Sequence, residues 1–251
     1  DERLLEGQRV KHLSLHSWLR KQGAKLDTLL DEPLVRHGDA RCKHAPWPAA
    51  MCSTCQPSPV TLRRQPFRMV DHVEFADGGR GVEAVVGEWR STGWQHFAWL
   101  FGTVEPYDGV PLGVKAVVRY VYIPPQDGGV DGFRLAEEDP GRQHLDVLAS
   151  CLGWHLVGML YTDLHDDGSG TGRVLHRRNA DTFFLSSPEV LFIAQQQLRH
   201  PFHSVTAEPD TFGSRFVTVV VTGDADGAIH PSAYQVSNQA MQLARDGLVT
   251  A

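Results

Sequence analysis

Three of the four cysteines cluster with a histidine in the pattern Cys42-x-His44-x7-Cys52-x-x-Cys55. Three thiolates and one imidazole are the donor set that zinc takes in closed, tetrahedral structural sites, and the ion's charge keeps the thiols ionised. The Cys-x-x-Cys half is a turn-sized clamp. The Cys-x-His half is tighter than the usual two-residue gap, so His37 is an alternative fourth ligand. This Pro- and His-rich stretch has little to build a core from, and a metal would take the core's place. A redox Cys-x-x-Cys should open a helix, which Gln56-Pro57-Ser58-Pro59 cannot continue. Clustering, with Cys151 standing alone, also argues against the spread-out pairs of a secreted disulfide framework. The expectation is one structural Zn2+ held by Cys42, His44, Cys52 and Cys55.

The rest of the chain reads differently. Before about residue 62 it is rich in His, Pro and Cys, and afterwards helices and strands alternate. This predicts a small zinc-finger segment at 1–62 and a larger domain at 63–251. With 251 residues, 41% of them hydrophobic and 22% charged, the larger part can bury a core. Val82, Val85, Val86 and Trp89 recur at helical spacing and stop at Gly93. Leu145, Leu148, Ala149 and Leu152 repeat that spacing and stop at Gly153. Ser186-Ser187-Pro188-Glu189 is a helix start, with a capping serine, a proline in the first turn and an acid that caps back. Leu13, Leu15, Trp18 and Leu19 suit a short helix. Strands are predicted at Val70–Phe75, Phe97–Val104, Val114–Ile123, Leu156–Asp163, Phe216–Thr222 and Ala228–Val236. Gly- and Asp-rich stretches at 127–132 and 166–172 read as loops. The fold class is mixed α/β with a substantial sheet.

A net charge of -6 with no basic stripe weighs against nucleic acid. No apolar run nears the ~20 residues that cross a bilayer, so membrane insertion is not expected. The first residues hold no apolar core segment of a signal peptide. Neither His-Glu-x-x-His nor Gly-x-Ser-x-Gly occurs. The run Gly168-Ser169-Gly170-Thr171-Gly172 lacks the Lys-Ser/Thr of a phosphate loop. His165, His176, His200 and His203 fit surface loops. Cys151, between Leu148 and Leu152, is expected to be buried and inert.

Several segments carry a resemblance: Lys11-His12-Leu13-Ser14, Pro46-Trp47-Pro48, Cys52-x-x-Cys55-Gln56-Pro57-Ser58, and the runs at 66–75, 88–102, 110–118, 122–126, 157–164, 181–190, 212–223 and 233–239. In sequence and order they resemble the nuclear protein localisation protein 4 family over about four-fifths of the chain. The resemblance implies an MPN (JAB/PAD-like) domain after the zinc-binding segment, a fold shared with zinc-dependent deubiquitinases. Active members carry His-x-His-Pro after a strand, then Ser-x-x-Asp, to bind a zinc ion that activates water. Here Tyr161 and Asp163 stand in the histidine positions, Leu164 in the proline position, and Glu189 in that of the metal-binding Asp. A phenol and a carboxylate do not replace two imidazoles, so the resemblance implies a pseudoenzyme without catalytic residues.

The resemblance further implies a ubiquitin-binding adaptor. With a ubiquitin fusion degradation protein 1 partner, it would bring polyubiquitinated substrates to a hexameric AAA ATPase of the valosin-containing protein type. That places it in ER-associated and proteasomal degradation, in cytoplasm and nucleus, peripheral at the endoplasmic reticulum or nuclear envelope. The MPN domain would hold an unfolded stretch of ubiquitin. Trp94, Phe97, Trp99, Tyr107 and Tyr161 are candidates for that groove, with one or two expected at the surface. Against the family, an upstream second zinc finger, a ubiquitin-like domain and a region after 251 are missing, so a C-terminally truncated fragment is expected. The rival is an MPN metalloprotease using Asp163, His165 and Glu189.

Overall fold

The computed structural model describes residues 12–22, 43–45, 49–50, 52, 60–202 and 213–250. They fall into two compact units, the first within 1–25, 66–186 and 215–235, the second within 26–65, 187–214 and 236–251. The first is built on β1 (Leu13–Ser14), α1 (Leu15–Lys21), β2 (Phe67–Arg68), β3 (His72–Phe75), α2 (Arg80–Thr92), β4 (Phe97–Tyr107) and β5 (Gly113–Tyr122), then β6 (Gln126–Gly128), β7 (Phe133–Leu135), α3 (Pro140–Cys151), β8 (His155–Asp163), β9 (Val217–Gly223) and β10 (Ile229–Tyr234). Six of these strands form one sheet in the order β10-β9-β8-β4-β5-β3. β8 pairs parallel with β9 and antiparallel with β4, and β3 pairs parallel with β5.

The helical stripe read from the sequence forms α2. The Asp77 carboxylate accepts from the Gly79 and Gly81 backbone N–H groups at 2.9 and 2.7 Å, satisfying orphan donors where the helix begins. Gly93 closes it at φ 72°, in the left-handed region that glycine adopts without strain. Val82, Val85, Val86 and Trp89 pack on Ala98, Leu100, Ala116, Val118, Leu160 and Val217, Val219, Val221 from one sheet face. Each such fully buried aliphatic side chain contributes about 1.5–3 kcal/mol. Alternation sends Phe97, Trp99 and Phe101 to the opposite face. There Phe133 of the β6–β7 hairpin lies 5.2 Å from Phe97, and the Arg142 guanidinium sits 4.8 Å from the Trp99 ring. The Gln126 amide completes the edge: it accepts from Phe97 N at 2.7 Å and donates to Phe97 O at 2.8 Å.

The second unit contains α4 (Ser187–Arg199) and α5 (Asn238–Arg245). Buried Gln197 brackets Val236, accepting from its N–H at 2.8 Å and donating to its carbonyl at 3.1 Å. Ser237 caps α5 by accepting from Ala240 N.

Four expectations change. The boundary at 62 is not where the units divide: Leu13 pairs with Phe67, placing residues 12–22 with the sheet. The stretch 127–132 belongs to the β6–β7 hairpin, with its ladder closed by Gly129 N donating to Gly132 O at 2.8 Å. α3 buries only Ala149 of its expected stripe; Leu148 and Leu152 are exposed, because Arg142 supplies much of its seat on the sheet. Cys151, on that outer side, is exposed rather than buried.

Candidate functional site

β8 carries Tyr161 and Asp163 to one end of the sheet, two residues apart and so on the same face. Asp163 accepts a hydrogen bond of 2.7 Å from Nε of Arg178, whose side chain is 4% exposed. Arg178 Nη1 donates to the Phe184 carbonyl at 2.7 Å, Arg178 bridges to Phe183 in the backbone, and the Phe183 ring lies 5.6 Å from the guanidinium. His165 Nε2 stands 3.2 Å from the other Asp163 oxygen and also meets Arg177 Nη1. A guanidinium that is planar, permanently charged and already hydrogen-bonded supplies the cation that this carboxylate requires.

Beneath the pair, buried Gln95 uses its whole amide. Its oxygen accepts from Thr162 Oγ1 and Leu164 N at 2.8 and 3.1 Å, and its nitrogen donates to the carbonyls of Leu164 and Val130 at 2.8 and 2.9 Å. Leu164 O also accepts from Trp89 Nε1. The Leu164 N–H bond is one that a proline at this position could not form. His96 extends the network, its backbone N–H donating to Thr162 Oγ1 at 2.9 Å. Its imidazole is pushed below the usual histidine range by burial, with the Glu88 charge acting in the opposite sense.

The structure thus brings Tyr161, Asp163 and His165 to one place and adds Arg178 and Gln95, which sequence reasoning missed. Neither had a local signal: Arg178 lies fifteen residues from its partner along a loop, and Gln95 reads as one polar residue between Trp94 and His96. Glu189 is half-buried in the first turn of α4, in the second unit. Among the described residues no three of His, Cys, Asp and Glu are grouped to hold an ion.

Of the groove candidates, Trp94 is 49% exposed, while Trp99 and Tyr107 are half-buried, Tyr107 stacked on His72 at 4.9 Å. Phe97 and Tyr161 are corrected: they are 0% and 4% exposed, closed in by Phe133 at 5.2 and 6.1 Å, and present no pocket surface.

His44 and Cys52 of the Cys/His cluster are described; Cys42, Cys55 and the alternative ligand His37 lie outside the described residues. His44 Nδ1 lies 2.7 Å from the Ala45 carbonyl, which can only accept. Nδ1 therefore donates, and in the neutral imidazole Nε2 is the nitrogen that could ligate a metal, with the ring oriented by a backbone carbonyl. With the thiols of Cys42, Cys52 and Cys55 in sequence around it, the donor set fits zinc.

A mixed sheet with α2 on one face and α3 on the other, and a Cys/His segment in the same chain, make an α/β protein consistent with an MPN-like fold and a zinc-binding region. The chain belongs to the NPL4 family: the family model "NPL4 family" matches residues 96–251, and "NPL4 family, putative zinc binding region" matches residues 1–93. Similar proteins are the nuclear protein localization protein 4 of Yarrowia lipolytica, 40% identical over 99% of this chain and 46% of the relative, and that of Saccharomyces cerevisiae, 41% identical over 100% and 45%. That of Schizosaccharomyces pombe is 38% identical over 99% and 45%. The chain spans about half the length of these relatives, and their names are those of localisation proteins rather than enzymes. No helix among the described residues is long and apolar enough to cross a membrane.

Proposed function

We propose that this chain is the zinc-binding and MPN-like part of a non-catalytic ubiquitin-binding adaptor. With a ubiquitin fusion degradation protein 1 partner, it recruits polyubiquitinated substrates to a AAA ATPase of the valosin-containing protein type and helps unfolding begin. The observation that carries the non-catalytic reading is the Asp163–Arg178 pair: the one carboxylate that β8 offers is engaged by a buried guanidinium at 2.7 Å. A hydrolytic zinc needs three protein ligands and an open position for water. Tyr161 is a buried phenol, and His165 faces Asp163 rather than completing a third donor. Family membership supports the adaptor role, and the relatives' names support involvement in the nucleus; work in the cytoplasm and peripherally at the endoplasmic reticulum or nuclear envelope is part of the same proposal.

In the Cys/His segment the bound zinc supplies rigidity. His44 contributes Nε2, and the Ala45 carbonyl fixes the ring by holding the Nδ1 proton. Cys42, Cys52 and Cys55 supply the thiolates, giving one structural zinc per chain and a stiff docking finger for the ATPase. Exposed Trp94 and half-buried Trp99, near the start of β4, are the aromatic residues proposed to meet an extended ubiquitin segment, with Tyr107 at the strand's far end.

The test is to incubate the 251-residue chain with polyubiquitin in the presence of zinc. Chains retained on the immobilised protein and recovered at full length are the expected result. Cleavage of the chains that disappears in Asp163→Asn would overturn the pseudoenzyme reading. Failure to retain ubiquitin would remove the binding role from this part.

A further inference from the structure

The N-terminal strap of the first unit is held on the sheet by a cluster of polar groups that the function above does not use. Ser14 and Ser17 both donate to the Pro111 carbonyl, each at 2.7 Å, at the turn between β4 and β5. Leu112, next in that turn, sits at φ 53°, the one non-glycine residue with positive φ among those described. Leu13 pairs with Phe67, and the Trp18 ring lies 4.6 Å from that of Phe67. At the same place Arg215, leading into β9, directs Nη2 to His16 Nε2 at 3.2 Å. A guanidinium has only donors, so Nε2 must accept and the imidazole must be neutral.

Asp71, ahead of β3, accepts from Val114 N at 3.0 Å and feels both His16 and Arg68 of β2. Lys115 of β5 is paired with Glu74 at 2.6 Å. Arg20 and Lys21 lie in the last turn of α1 itself, and His12 stands just before β1. The charges that act on His16 are Arg215, which disfavours its proton, and Asp71, which favours it. Asp71 is the carboxylate placed to welcome a proton there, and burial biases it toward its own protonated form. Burial and the Arg215 charge hold His16 below the usual histidine range, more than Asp71 raises it.

We propose that the His16–Arg215 contact is a proton-sensitive latch: it holds α1 on the sheet unit while His16 is neutral and releases it when the imidazole takes up a proton. Protonation removes the acceptor that Arg215 uses and places a second cation 3.2 Å from the guanidinium. The two serine bonds, the Trp18–Phe67 contact and buried Leu15 remain to hold α1, without the Arg215 contact. α1 lies within residues 1–93, the span matched by the family's zinc-binding region.

The test is fluorine NMR of the zinc-loaded chain labelled with 5-fluorotryptophan. It has six tryptophans, and Trp18→Phe assigns the Trp18 signal. Between pH 7.5 and 5 that signal should move to a solvent-exposed position, with a midpoint below that of a free histidine. In Arg215→Gln, which removes the cation that faces Nε2, and in His16→Gln, it should stay at the docked position throughout. A Trp18 signal that does not move in the wild type, or that moves equally in both variants, would overturn the latch.

Discussion

Two regions of this chain carry residue types that bind zinc, and they meet their electrostatic needs in opposite ways. At the end of β8, Asp163 and His165 lie together, and the positive charge comes from inside the protein, through Arg178 at 2.7 Å. In the Cys/His segment the sequence offers three thiols and an imidazole with no arginine between Cys42 and Cys55. Thiolates have no stable buried form without a cation, and here zinc is the fitting one. The contrast teaches that ligand-type residues do not by themselves make a metal site. What matters is whether a fixed side-chain cation already stands among them, and an arginine with two hydrogen bonds is a permanent occupant where a lysine or a water would be a temporary one.

The largest effect is expected where the ion itself is removed. Elemental analysis should find one zinc per wild-type chain and none in Cys52→Ser/Cys55→Ser. Structural zinc contributes on the order of 10 kcal/mol or more to the order of a small segment, so the segment should lose its fold with the metal. A second zinc that survives the double substitution would break the comparison, because it would need a site among Asp163, His165 and Glu189. At the β8 end, Arg178→Ala leaves Asp163 charged with an 18% exposed side chain and no guanidinium partner. Urea denaturation should show a loss of about 3 kcal/mol. Asp163→Leu/Arg178→Met should recover most of it, since the apolar pair needs no counter-charge. Zinc content should not rise in Arg178→Ala, because two donors do not make a tetrahedral site.

The legibility of these regions in the sequence follows their range of interaction. The α2 stripe of Val82, Val85, Val86 and Trp89 was readable because helical periodicity and burial coincide there. The strands at 97–107, 113–122 and 155–163 were readable to within a few residues because one face of each is continuous core. The same periodicity at Leu145, Leu148 and Leu152 misled, because the spacing states that residues share a face but not that the face meets anything. α5 and the β6–β7 hairpin escaped notice: both are short, and they are fixed by remote amides, Gln126 on Phe97 and Gln65 on Asn238. That a phenol stands at Tyr161 and an aliphatic residue at Leu164 was visible in single letters, whereas the groups that surround them were not. Neither Gln95 nor Arg178 advertises a partner some fifteen to seventy residues away, at Asp163, Thr162 and Leu164.

Acid should act on the two regions by different routes. In the Cys/His segment, if zinc is held as proposed, protons should compete with it for His44 and the thiolates and release the metal. In the sheet unit one group at issue, beside His16 and His155, which burial also lowers, is His96, lowered chiefly by burial, with Nδ1 enclosed and unpartnered. The folded state disfavours its proton, so the unfolded chain binds the proton first as pH falls. The stability contributed by neutral His96 is complete above the unfolded value of about 6.5 and is lost below it, as pH approaches the depressed folded value. Asp71, raised by burial, has the reverse sign: its contribution is complete below the unfolded carboxylate value and is lost as pH rises through the folded one. In chain stripped of zinc by chelator, the urea midpoint should therefore fall between pH 7 and 5.5, and less so in His96→Gln. An equal fall in the variant would remove His96 from the explanation.

The smallest effect should come from the two histidines that most resemble each other on paper. His165 lies 3.2 Å from an Asp163 that Arg178 already holds by a shorter bond, and its side chain is 16% exposed. A second, longer contact to a carboxylate already neutralised contributes little, so His165→Gln should lower stability by roughly 0.5–1 kcal/mol in urea denaturation and leave zinc content unchanged. His44→Gln, the same chemical change, should reduce zinc retention under chelator challenge, because an amide does not replace the Nε2 lone pair that the Ala45 carbonyl helps to orient. If His165→Gln instead lowered zinc content, the β8 end would be a metal site and Arg178 its rival rather than its replacement. If His44→Gln retained zinc fully, the fourth ligand would be His37, and the cluster would still bind its ion while losing the oriented imidazole that links it to the described structure.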